Sequence, residues 1–117
     1  MVSDCLAVHH GDVENENGLG PIAVVGLFTV EPGRQEELIE AINFAGEVMR
    51  NKPGFLGSTL VASLDGTRVI NYSAWRSTAD LHAAREDPAG VEAAERMFAI
   101  AVPEPIQGTI RAELTAS

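Results

Sequence analysis

Residues 55–75 constrain the fold more than any other stretch. Two runs, 55–64 (FLGSTLVASL) and 68–75 (RVINYSAW), flank Asp65-Gly66-Thr67, and a DG turn between alternating runs predicts an antiparallel hairpin. Alternation along the second run puts Val69, Asn71, Ser73 and Trp75 on one face and Ile70, Tyr72 and Ala74 on the other. A strand interior disfavours asparagine, whose amide must be hydrogen-bonded once buried. Two readings meet that cost. Either Asn71 bonds a neighbouring backbone and Trp75 is plain core, or the two, roughly 13 Å apart along the strand, line one small-molecule pocket.

The remaining elements fall on either side of the hairpin. Residues 22–30 (IAVVGLFTV) are short, apolar and closed by Glu31-Pro32-Gly33, which predicts a buried strand. Residues 34–51 carry Leu38, Ile42, Ala45 and Met49 at helical spacing, with acidic residues early and Arg50 and Lys52 late, and Lys52-Pro53-Gly54 ends the helix. A helix over residues 78–85, capped by Ser77 or Thr78, gives way at Asp87-Pro88 to a second piece running to about residue 99. Pro103 and Pro105 are read as separators before a last strand over residues 106–114.

The order strand, helix, strand, strand, helix, strand predicts a ferredoxin-like α+β sandwich, one antiparallel sheet with its helices on one face. Val25 and Leu27 on the first strand, with Ile70, Tyr72 and Ala74 on the third, leave the other face apolar as well. A second copy is the simplest cover, so a homodimer closing into an α+β barrel is expected.

At 117 residues the chain holds one domain, expected over residues 21–117, preceded by a polar, Gly-containing arm over residues 1–20. A formal charge of −9 repels phosphate backbones and anionic lipid, so neither nucleic acid nor membrane is an expected partner. No run approaches the roughly 20 apolar residues of a bilayer span, and no basic region precedes an apolar stretch at the N-terminus. These features predict a cytoplasmic protein. The single cysteine, Cys5, rules out an internal disulfide and a multi-thiolate metal site within one chain, and the adjacent His9 and His10 lack a third ligand nearby.

The stretch PGFLGSTLVASLDGTRVINYSAWRS, with a helix and an Asp-Pro start behind it, resembles the antibiotic biosynthesis monooxygenase family of dimeric α+β barrels. Within that family it is most similar to the small cofactor-free enzymes of the actinorhodin-pathway type, which oxidise polyketide anthrones to quinones. The likeness covers about residues 22–114, and Asn71 four places before Trp75 is its most specific part. It implies that Asn71 and Trp75 face a small aromatic substrate, and that dioxygen is the co-substrate with no cofactor. A pocket tyrosine of those enzymes is matched here by Leu81 with His82 beside it, and an arginine of the last helix by Arg96 only approximately. His82 and Arg96 are therefore the candidate proton donors.

Such chemistry suits a protein this small. An anthrone has an acidic methylene, and its anion is electron-rich enough to reduce dioxygen itself. Asn71 would hydrogen-bond the oxygen on which charge develops, and Trp75 would offer a ring and an indole donor. A general quinol monooxygenase of the same superfamily and a non-catalytic ligand-binding dimer are the alternatives. Haem degradation in relatives of this fold uses an asparagine on the first strand, which residues 22–30 lack.

Overall fold

A computed structural model describes residues 21–117; the expected arm, Cys5, His9 and His10 lie outside the described residues. The elements are β1 (Ile22–Thr29), α1 (Gln35–Met49), β2 (Phe55–Ala62), β3 (Arg68–Trp75), α2 (Thr78–Glu86), α3 (Pro88–Phe98) and β4 (Pro103–Thr109). The four strands form one antiparallel sheet in the order β2-β3-β1-β4. This is the ferredoxin-like α+β fold, with the second helical segment split in two at Asp87-Pro88. The split is built by capping. Ser77 Oγ accepts from the Asp80 N–H at 3.1 Å to start α2, and the Asp87 carboxylate accepts from the Ala89 N–H at 3.0 Å to start α3 with proline at its first turn. Lys52 Nζ lies 2.9 Å from Asp87 Oδ2, tying the exit of α1 to the start of α3.

Two boundaries differ from the sequence expectation. The last strand begins at Pro103, inside the supposed separator, and ends at Thr109. It tolerates both prolines because β4 is an edge strand. Pro103 and Pro105 are two residues apart and so sit where the backbone nitrogen points away from β1. A register shift between Phe55 and Gly57 in β2 leaves Leu56 unpaired, so that Ser58 and Leu60 share a face with Phe55.

The register arranges the helix-facing side of the sheet in four cross-strand rows: Phe55–Trp75–Ile22–Thr109, Ser58–Ser73–Val24–Gln107, Leu60–Asn71–Gly26–Pro105 and Ala62–Val69–Phe28–Pro103. Only the outer rows are covered by close packing. Phe28, Val69 and Val30 join Leu38 and Ile42 of α1 in one core cluster. Ile22 and Trp75 join Leu81 and Ala84 of α2 in another. Asn71, Ser73, Val24 and Gly26, in the rows between, remain only half-buried. The opposite side carries the rows Val61–Ile70–Leu27–Glu104 and Thr59–Tyr72–Val25–Ile106. There Ile70 is 39%, Val61 51% and Ile106 66% exposed. No helix among the described residues is long and apolar enough to cross a membrane.

The hairpin turn is held by one carboxylate. Gly66 takes φ +80°, which residues other than glycine rarely adopt. Beside it, Asp65 Oδ1 accepts from Ser63 Oγ at 2.8 Å, the Thr67 N–H at 3.0 Å and Thr67 Oγ1 at 2.7 Å. The Thr67 hydroxyl first, then the Ser63 hydroxyl and the Thr67 N–H, lower the Asp65 pKa from 3.8 to about 2. Because the folded value lies below the unfolded one, these bonds stabilise fully above about pH 4 and are lost as the pH falls through about 2. Asp65→Ala should therefore lower the urea midpoint at pH 7, with the gap from the parent protein closing on acidification through that window. A constant gap would show that the turn charge contributes nothing.

Candidate functional site

The gap between the two packed cores is a cavity of about 700 Å³ between sheet and helices, within the size range of pockets that enclose a small organic ligand. The middle rows form its floor through the half-buried Val24, Gly26, Leu60, Asn71 and Ser73 and the exposed Ser58. Ile42 and Met49 of α1 and Ala94 and Met97 of α3 contribute to the walls. The exposed side chains of Asn43, Arg85, Val91, Glu95, Phe98 and Val102 contribute a rim that is part apolar, part polar. The floor is thus a sheet surface with a short polar strip along β3.

Asn71 and Trp75 both line this cavity, as their shared strand face requires. Their situations differ. Trp75 is 2% exposed and fixed on several sides. Its ring meets Phe55, its cross-strand partner, edge to face at 5.2 Å and 79°. Its indole N–H donates to Ser73 Oγ at 3.2 Å. The indole proton is therefore engaged within the protein. The Ser73 hydroxyl, which accepts that bond, keeps its own proton to donate, and no hydrogen bond within the described residues takes it up. The Asn71 amide is half-buried over the floor and makes no hydrogen bond to a described residue. Among the described residues, then, no backbone group bonds the Asn71 amide.

His82 and Arg96 are placed elsewhere. Leu81 faces the cavity from α2, so the residue on the same stripe one turn on is Arg85, while His82 is turned to an exposed position outside the lining. On α3 the cavity side carries Gly90, Val91, Ala94, Glu95, Met97 and Phe98. Arg96 lies off it and stacks on the Phe44 ring of α1, its guanidinium carbon 4.1 Å from the ring centroid. Ser58, Ser73 and Arg85, with Asn43 and Glu95 on the rim, are polar lining residues that the sequence reading did not single out as site residues. Helical spacing from Leu81 points to Arg85, and strand parity points to Ser73; Ser58 emerges only with the bulge. Among the described residues no group of three His, Cys, Asp or Glu side chains is placed to hold a metal ion.

Comparison with known proteins places this geometry in context. A family model described as antibiotic biosynthesis monooxygenase matches residues 21–96. The tetracenomycin-F1 monooxygenase of Streptomyces glaucescens is 39% identical over 66 residues, 56% of this chain, and the match spans only 59% of that protein's length. Among solved structures, a monooxygenase from the gene ActVA-Orf6 of Streptomyces coelicolor, in complex with the ligand nanaomycin D, is 32% identical with a TM-score of 0.70, covering 92% of this chain and 100% of that one. SnoaB, a cofactor-independent oxygenase from Streptomyces nogalater, shares the fold at a TM-score of 0.75 and 22% identity, covering 82% of this chain and 98% of its own.

Proposed function

The chain belongs to the antibiotic biosynthesis monooxygenase family, and on that premise we propose that it is a cofactor-independent monooxygenase that uses dioxygen to oxidise a polycyclic aromatic polyketide intermediate, an anthrone or hydroquinone, to a quinone. The observation that carries this reading is the Asn71 amide, unpartnered among the described residues and facing an apolar cavity of about 700 Å³. Without a described partner and still reached by solvent, the amide keeps its donor and acceptor for a ligand, and a ligand oxygen that displaces water there gains a hydrogen bond worth roughly 0.5–1.5 kcal/mol net. The names of the two Streptomyces monooxygenases above, one tied to tetracenomycin F1 and one solved with nanaomycin D, support a small organic ligand of this class.

The chemistry balances without a further oxidant. An anthrone loses a methylene proton, and its anion transfers an electron pair to dioxygen as a C–O bond forms. The peroxide so made loses its remaining C–H proton and breaks its O–O bond, leaving the quinone carbonyl and one water. Asn71 would hydrogen-bond the ring oxygen that carries charge in the anion, in an oxyanion-hole role. Trp75 would hold Ser73 so that its hydroxyl points to the ligand. With His82 and Arg96 outside the lining, the polar protons available within it besides the Asn71 amide include those of Asn43, Ser58, Ser73 and Arg85. The same reading makes the protein a homodimer through the exposed sheet face.

An oxygen-electrode screen of tricyclic anthrones against simple quinols tests the proposal. Oxygen uptake with an anthrone, yielding one quinone per dioxygen and surviving chelator and dialysis, is the expected result. Uptake with simple quinols alone would indicate a general quinol monooxygenase. No uptake with either would leave a ligand-binding dimer.

A further inference from the structure

One floor position has no side chain. Gly26 lies in the middle of β1, paired with Asn71 of β3 on one side and Pro105 of β4 on the other. Glycine in a strand interior weakens the strand, and it marks places where a ligand or another backbone comes close. No protein backbone closes on this one. A Cβ built at Gly26 would meet the Phe28 ring and Pro103 Cβ, both at an ordinary 3.4 Å. Packing thus leaves room for a methyl group at this position. Anything larger would stand up from the floor beside the Asn71 amide.

Resting on the polycyclic-substrate reading above, we propose that Gly26 is the specificity-determining residue of the cavity: it keeps the floor flat between Asn71 and Pro105, so that a planar fused-ring phenol lies across β1 with one oxygen on the Asn71 amide. The span from β3 across β1 to β4 is two strand spacings, roughly 9–10 Å, about the length of three linearly fused rings. A single ring needs only the Asn71 end of that span. Side-chain bulk at position 26 therefore discriminates by ring count.

The test reads binding, without oxygen or turnover. Trp75 is the only tryptophan of the chain and lines the cavity, so its emission reports occupancy. The probes are 1,8-dihydroxyanthraquinone, an air-stable tricycle, and methylhydroquinone, a single ring. Wild-type protein should bind the tricycle more tightly. Gly26→Val should weaken tricycle binding by tenfold or more and change single-ring binding by less than twofold, with a melting temperature no lower than wild type. Gly26→Ala, whose methyl group fits at ordinary contact distance, should lie between them and supplies the reading if the valine variant does not fold. Unchanged tricycle binding in the variants, equal loss of both probes, or a wild type that does not prefer the tricycle would overturn the assignment. A wild type that binds the tricycle as expected but consumes no oxygen with anthrones would overturn the monooxygenase reading and leave the role of Gly26 standing.

Discussion

Asn71→Ala should oxidise an anthrone at least tenfold more slowly than the parent protein while unfolding at nearly the same temperature. The two halves of that expectation have different origins. Removing one donor from a site where negative charge develops costs roughly 100- to 1,000-fold in turnover where the site is closed. Here the rim includes exposed side chains and Ser73 remains as a neighbouring donor, so about tenfold is the lower bound. Stability should hardly move, because the half-buried amide hydrogen-bonds no described residue. A structural asparagine would do the reverse, losing stability and leaving the rate of the surviving folded molecules intact. Trp75→Phe should be milder, a few-fold, since it keeps the ring that packs on Phe55 and frees Ser73 from its indole partner. Both variants need the same oligomeric state and melting profile as wild type before rates are compared, because truncating a buried side chain can imitate a catalytic defect. If the parent oxidises an anthrone and folded Asn71→Ala matches its rate, the amide has no catalytic role.

Most of the scaffold is legible from short-range chemistry. The hairpin follows from Asp65-Gly66, the helix starts from Ser77 and Asp87-Pro88, and α1 from the spacing of Leu38, Ile42 and Ala45. The misplaced start of β4 has a tertiary cause: proline excludes a central strand, and only the sheet order reveals that β4 is an edge. The site divides in the same way. Strand parity alone puts Asn71 and Trp75 on one face. That the Trp75 N–H is held by Ser73 depends on side-chain conformation, and the entry of Ser58 depends on the unpaired Leu56. His82 is a matter of one residue: its neighbour Leu81 takes the inward position, and a helix turns about 100° between consecutive residues. Gly26 is the subtlest case. Within IAVVGLFTV it is a weak spot in a strand, and it becomes part of a site only when the register sets it beside Asn71.

Tyr72→Asp should convert a micromolar dimer into a monomer. Tyr72 sits in the row Thr59–Tyr72–Val25–Ile106 on the sheet side away from the helices, next to the row holding Val61, Ile70 and Leu27. With Ile70 39%, Val61 51% and Ile106 66% exposed, this is a contiguous apolar surface of the kind that marks an interface. Four strands cover a plane roughly 15–20 Å by 25 Å, enough for the about 800 Å² per partner of a standard interface once side-chain relief is counted. In the proposed dimer an aspartate there would be desolvated among the apolar side chains of two such sheet faces. An uncompensated buried charge costs roughly 3–5 kcal/mol, and two-fold symmetry introduces it twice. The combined penalty corresponds to a weakening of about 10⁴-fold or more, well beyond what a micromolar sample tolerates. Tyr72→Phe keeps the ring and should remain dimeric. Sedimentation of both variants beside wild type decides the matter: a dimeric, fully active Tyr72→Asp protein would remove Tyr72 from the interface, and a wild type sedimenting as a 12.4 kDa monomer would remove the barrel altogether. Because the cavity opens on the other side of the sheet, a folded Tyr72→Asp monomer should still quench Trp75 emission when the tricyclic probe is added, separating the loss of assembly from the loss of the site.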